Sequence, residues 1–216
     1  MKNTFIHLIE QELVEKVVLE SKKAYDPIVV KNMPAGWKCV GTGNYAAVFM
    51  HKTEPDLVVK INELKDENLH KEADIYRRLG KHPAYSYLVY EGKNYLVLKR
   101  LEGITLYNAL AKGIRIPEKV IDDINEALEY ARSRGLNPYD IHGKNVMMKD
   151  GRGYVVDVSD FYKNGKDEKW EDFVKAYHTL YKKTLYKLPV KIPFKALDVI
   201  RHAYRLYKKM RRKLSF

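Results

Sequence analysis

Between residues 3 and 20, Phe5, Ile6, Ile9, Leu13, Val17 and Val18 recur at the spacing that gathers side chains on one face of a helix. The pattern predicts an amphipathic helix at the start of the chain, able to cap a neighbouring sheet or pair with a partner, and then a linker ending at Met33-Pro34-Ala35-Gly36. Residues 37–40, 47–51 and 57–61 are short β-favouring runs. Gly41-Thr42-Gly43-Asn44 and Thr53-Glu54-Pro55-Asp56 lie between them, which predicts three antiparallel strands joined by tight turns. A charged helix follows over 67–79, with Ile75 and Leu79 four residues apart and Gly80 and Pro83 to stop it. Runs over 85–90 and 95–98 then flank Glu91-Gly92-Lys93-Asn94 as a hairpin.

After Glu102-Gly103 the helical period takes over. A short helix is predicted over 106–111 and a longer one over 118–134, with an apolar stripe of Ile121, Ile124, Leu128 and Ala131 and Gly135 as its left-handed cap. Residues 146–148 and 154–157 read as a strand pair around Asp150-Gly151-Arg152-Gly153. Two helices, near 168–186 and 194–212, finish the chain. Ala196, Val199, Ile200, Ala203, Tyr207, Met210 and Leu214 form a stripe on the last one, expected to pack on the helical half. A strand-rich half thus precedes a helix-rich half.

With 216 residues, 45% of them hydrophobic, the chain can bury one core or two small lobes but not several domains. Its first thirty residues hold Glu10, Glu12 and Glu15 and no long apolar run, so a cytoplasmic protein is expected. A lone Cys39 excludes an internal disulfide, and the seven histidines lack the paired spacing of a zinc site. The net charge of +12 is concentrated: residues 163–216 hold 16 Lys and Arg against 5 Asp and Glu. Such a segment suits an anionic partner, whether nucleic acid, lipid or acidic protein, or else is a solvated basic helix that serves solubility alone.

Two glycines in Gly41-Thr42-Gly43-Asn44-Tyr45-Ala46-Ala47-Val48 would let backbone amides approach a polyphosphate. Lys60, in the apolar run Leu57-Val58-Val59-Lys60, needs a counter-charge if buried, and Glu72 lies twelve residues on, beside Ile75 and Leu79. Asp140 and Asn145, in Asp140-Ile141-His142-Gly143-Lys144-Asn145, precede the second strand pair, and Asp157 closes it. Hard oxygen ligands around one hairpin suit Mg²⁺.

In order and spacing these motifs resemble the protein-kinase superfamily over roughly residues 37–160. The chain resembles the small bacterial eukaryotic-like serine/threonine protein kinases, and more distantly the RIO type and small-molecule kinases built on the same fold. The resemblance implies a bilobal α+β fold: an N-terminal extension over 1–35, an N-lobe over 36–98 with a five-stranded antiparallel sheet and one helix, a hinge over 99–103 and a reduced helical C-lobe over 104–216. It also implies ATP as phosphate donor, with Gly41, Thr42, Gly43 and Val48 over the nucleotide, Lys60 on its phosphates, Glu72 as the partner of that lysine, and the backbone near Lys99 to Leu101 at the adenine. Asp140 would be the catalytic aspartate, Asn145 and Asp157 the Mg²⁺ ligands, and the acceptor a protein Ser/Thr hydroxyl or a small molecule.

The chain also departs from the family's pattern. Pro138 and Tyr139 stand where His and Arg are usual, Val158 and Ser159 replace Phe-Gly, and His142 occupies the place of a lysine near the transferred phosphate. No Ala-Pro-Glu sequence occurs among the 59 residues after Asp157. These departures keep open an ATP-binding regulatory module, and a small-molecule kinase, beside the protein kinase.

Overall fold

Alternation along the strands decides which face of the first sheet meets which partner. The computed structural model describes residues 2–21, 27–62, 67–188 and 190–214. It divides into two units, and the first comprises Met1–Leu101, Glu129–Tyr139 and Asp157–Asn164. There α1 (Lys2–Leu8) runs into a π-helical turn over Ile9–Val14, and β1 (Val18–Glu20) pairs antiparallel with β2 (Val29–Lys31). Five further strands, β3 (Trp37–Thr42), β4 (Ala46–His51), β5 (Leu57–Asn62), β6 (Leu88–Glu91) and β7 (Tyr95–Lys99), form one antiparallel sheet in the order β3-β4-β5-β7-β6. Between β5 and β6 lies α2 (Glu67–Leu79).

Ala47, Phe49, Val59, Ile61, Tyr95 and Val97 bury one face of this sheet against Phe5, Ile9 and Leu13 of the N-terminal helix. Removing each of these large side chains from water contributes roughly 1.5–3 kcal/mol. Phe5 stacks on Trp37 at 6.0 Å, and the Tyr95 hydroxyl donates to Glu10 at 3.2 Å. The N-terminal helix therefore caps the sheet. Strand residues of the other parity, Val48 and Lys60 among them, point to the opposite face.

The helical pattern over 3–20 overreaches. Its last apolar residues, Val17-Val18-Leu19, are mostly β-branched, and residues 18–20 take up ladder hydrogen bonds with Val29–Lys31 instead. Residues 22–26 of the expected linker lie outside the described residues. The strand expected from residue 85 starts at Leu88, because the Tyr85 amide closes a turn onto His82 O (3.1 Å) and Ser86 Oγ donates to Lys99 O (2.6 Å).

The second unit comprises Glu102–Leu128, Asp140–Val156 and Gly165–Phe216. Here β8 (Ile104–Thr105), which the sequence did not signal, joins β9 (Val146–Lys149) and β10 (Arg152–Val155) in a three-stranded sheet of order β10-β9-β8. Thr105 caps α3 (Leu106–Lys112) by accepting from the Asn108 amide, and Gly113 ends it at φ 67°. The helix α4 (Glu118–Ser133) buries Val120, Ile121, Ile124 and Ala127 in this unit, and its last turn belongs to the first. It approaches β10 so closely that a Cβ on Gly153 would lie 2.5 Å from Val120 O. Asp123 fastens the contact by accepting from the Gly153 amide (3.0 Å) and from Arg152 Nε (2.7 Å).

α5 (Lys169–Ala176) is shorter than the helix expected over 168–186 and passes into a π-helical turn over Tyr177–Tyr181. That wider turn lets two stacked tyrosines hold one residue: Tyr177 donates to Ile116 O and Tyr181 accepts from the Ile116 amide, both at 2.9 Å. The final helix, α6 (Phe194–Leu214), corrects the expected packing of its stripe. It docks through Leu197, through Tyr107 donating to Asp198 (3.0 Å) and through Tyr204 donating to Asp172 (2.6 Å). Val199, Ile200 and Met210 are 67%, 61% and 53% exposed. The polar side won this packing because Asp198 and Tyr204 have hydrogen-bond partners there. The side chains of Tyr207, Leu214, Arg205, Lys208, Lys209, Arg211, Arg212 and Lys213 lie outside the described residues. Among the described residues, no helix is long and apolar enough to cross a membrane.

Candidate active site

In the first unit β5 sets Lys60 opposite Val48 of β4 and Leu96 of β7, on the face away from the N-terminal helix. Its ammonium donates to both carboxylate oxygens of Glu72 on α2, each at 2.7 Å, and lies 3.7 Å from Asp157 Oδ1. Only 12% of the Lys60 side chain and 2% of the Glu72 side chain are exposed. Burial alone would lower the lysine, but Glu72 and Asp157 outweigh it and raise Lys60 above its ordinary range, so the ammonium persists. Burial pushes the Glu72 carboxyl up, against the pull of Lys60. One ammonium shared by two carboxylate oxygens favours the ionised pair. Tyr76, a turn further along α2, hydrogen-bonds Glu72 as well, and burial and the two carboxylates push its hydroxyl far up. Asp157 accepts from the Ser159 amide through Oδ1 at 3.1 Å, and its side chain is 41% exposed.

The β3–β4 turn carries the two glycines. A Cβ on Gly41 would meet nothing within 4 Å, one on Gly43 only Ala46 O at 3.6 Å, and neither has a positive φ. The fold itself thus gives no reason for glycine at either position. The Gly43 amide is already engaged, donating to Ala46 O at 2.8 Å, and Thr42 pairs with Ala47. At the segment over 99–103, the Lys99 amide donates to Tyr87 O (3.0 Å), Lys99 O accepts from Ser86, and the Arg100 amide donates to Asp56 O (2.7 Å).

The second unit holds the other set. Asp140 sits at φ 61°, a left-handed conformation that aspartate tolerates better than most non-glycine residues. Buried Ile141 anchors the loop, Asn145 Nδ2 donates to Asp140 O at 3.0 Å, and the Val156 amide donates to Asn145 O at 3.0 Å. Asp140 and Asn145 are thereby fixed to each other and to the start of the segment that leads to Asp157.

Sequence reasoning missed Lys169. At the first position of α5, its ammonium lies 2.5 Å from Asp140 Oδ1 and 2.9 Å from Asp167 Oδ2, and Asp167 Oδ1 accepts from the Lys169 amide at 2.9 Å. His142 Nε2 is 3.8 Å from the same Asp140 oxygen. Burial opposes the charge on Lys169, and the two aspartates outweigh it, raising the lysine above its usual range. A signal was present: a lysine in the first turn of a helix is unfavourable beside the positive end of the dipole, so it requires nearby carboxylates.

No protein-family model matches the chain. A curated Bacillus subtilis (strain 168) protein described as "Putative serine/threonine-protein kinase YrzF" is 38% identical over 136 residues, 62% of this chain and 62% of that protein. The chain therefore spans less than two thirds of the curated relative it matches. The crystal structure of a point mutant of the Mycobacterium tuberculosis PknI kinase domain aligns with 66% of this chain and 63% of its own at 19% identity and a TM-score of 0.46. The five-stranded antiparallel sheet and its single helix, with the lysine–glutamate pair across them, are the arrangement expected of a protein-kinase-like fold, and the curated protein to which the chain is similar is described as a "Putative serine/threonine-protein kinase".

Proposed function

We propose that the chain is an ATP- and Mg²⁺-dependent phosphotransferase, a small serine/threonine protein kinase that moves the γ-phosphate of ATP to a hydroxyl. The observation that carries this is Lys60, kept charged in an apolar strand by Glu72 and facing Asp157 at 3.7 Å. A buried pair of this kind costs desolvation, so its retention is better explained by use than by stability. In use, Lys60 meets the nucleotide's phosphates, Glu72 aims it, and the open space over Gly41 and Gly43 admits them close to the backbone. Val48 and the Leu101 backbone would hold the base. Asp140 orients the acceptor hydroxyl and takes its proton as the new bond to phosphorus forms and the bond to the ADP oxygen breaks.

Asp157 and Asn145 fit Mg²⁺ in kind: each offers a hard oxygen, and Asn145 donates through Nδ2, leaving Oδ1 for a metal. Among the described residues no group of three or more His, Cys, Asp or Glu could hold a metal by itself, so water and phosphate oxygens must supply the remaining ligands. When bound, the ion would neutralise charge on the phosphates. Asp140→Asn tests the assignment. It should keep ATP affinity while losing most turnover, and an Asp140→Asn protein as active as wild type would refute the role.

A second function, nucleotide binding without transfer, is favoured by Val158 and Ser159 in place of Phe-Gly. It predicts thermal stabilisation by ATP with no labelled product.

A further inference from the structure

We propose that α6 is a surface helix for anionic lipid, lying in the headgroup layer with its apolar stripe inserted. Val199, Ala203, Leu206 and Met210 recur at steps of four, three and four residues along one face of the helix, and all four are exposed. The exposure of Leu206 is 63%, against 8% for Leu197 on the docked side. The stripe extends about 17 Å at 1.5 Å per residue. It is held outward rather than left over, because Asp198 and Tyr204 tie the polar side of the same helix to Tyr107 and Asp172. Phe194, 52% exposed, adds an aromatic ring at the start of the helix, stacked on Tyr107.

Charge selects among the partners such a face could take. The helix sequence holds eight Lys and Arg against the single Asp198, within a segment of net +11 from residue 163 onward. Two copies meeting through this face would bring those charges together, which opposes self-association. Nucleic acid would satisfy the charge but has no use for a continuous aliphatic stripe, since its phosphates are met by Lys and Arg alone. Anionic lipid uses both: the acyl boundary takes Val199, Leu206 and Met210, and the headgroups take the cations. With so many charges the helix cannot cross the bilayer, so it lies in the plane.

The test is co-sedimentation of the full chain with vesicles of phosphatidylcholine alone and of phosphatidylcholine with phosphatidylserine, at low and high salt. Wild type should bind the serine-containing vesicles and release at high salt. Leu206→Gln/Met210→Gln, at two exposed positions, should keep its melting temperature and lose vesicle affinity by about tenfold or more. Absence of vesicle binding, or equal binding by the double variant, overturns the proposal. So does binding to a DNA duplex that the double variant leaves unchanged while vesicles go unbound, which assigns the charge to nucleic acid. A dimer in light scattering that the double variant dissolves would overturn it in favour of a second copy of the chain.

Discussion

Lys169 holds Asp140 through Oδ1. Its ammonium meets Oδ1 at 2.5 Å, His142 approaches that same oxygen, and Asp167 holds the lysine from behind at 2.9 Å. The loop over 140–145 brings His142 near Asp140, and α5 supplies that aspartate with a second cation. Lys169→Met should reduce turnover about 10- to 100-fold with ATP affinity unchanged, and Lys169→Arg should recover much of the loss. Steady-state kinetics beside nucleotide titration reads the split. A fall in ATP affinity alone would place Lys169 on the nucleotide.

The Lys60–Glu72 pair is buried, so removing the Glu72 carboxylate leaves Lys60 with the more distant, partly exposed Asp157 at 3.7 Å. Glu72→Ala leaves an ammonium in an apolar strand and should cost about 3 kcal/mol or more of stability. Lys60→Met/Glu72→Leu, which removes both charges and keeps the volume, should recover most of that. Chemical denaturation of the three proteins measures the difference, and equal stability of Glu72→Ala and wild type would contradict the pairing.

Asp123 gives the fold an acid limit. Burial pushes its carboxyl up, and Arg152, Lys119 and the Gly153 amide overcome this to hold it at about 2, against 3.8 for the free side chain. A depressed carboxylate stabilises the folded state fully above the unfolded value and loses that contribution as pH falls through the folded one. The contribution, ~2 kcal/mol, should therefore decline between about pH 4 and pH 2. Asp123→Asn should be less stable at neutral pH and flatter across that range, as thermal melts at stepped pH would show.

Gly153 is required by the approach of α4 rather than by its turn. A methyl group there would sit 2.5 Å from Val120 O and 3.2 Å from the Cβ of Asp123. Gly153→Ala should cost about 1–3 kcal/mol, whereas Gly41→Ala, with open space at its Cβ, should leave the melting temperature near wild type and weaken ATP binding instead. Thermal melts with and without nucleotide separate the two.

Much of this was legible in the sequence because period and punctuation agreed. Alternation put Val59 and Ile61 on one face and Lys60 on the other, and a twelve-residue step placed Glu72 on the next helix within reach. Short elements were less readable. β1 shares its apolar residues with a helical pattern, and only its pairing with Val29–Lys31 decides it. The π-helical turn at Tyr177–Tyr181 depends on Ile116, sixty-one residues away from Tyr177, a distance no local window spans. Lys169 escaped because its partner Asp140 is remote in sequence. The α6 stripe misled because periodicity identifies an apolar face without saying that tyrosines and Asp198 would win the packing.

The most direct measurement is transfer of label from ATP radiolabelled on its γ-phosphate, with Mg²⁺, by the purified chain, alone and with a generic protein acceptor, beside Lys60→Ala and Asp157→Ala. Label in the wild-type reaction, absent with both variants while each still melts as a folded protein, is the predicted result. Label that persists in either variant, or none in the wild type although ATP raises its melting temperature, would contradict the claim that Lys60 and Asp157 serve phosphate transfer.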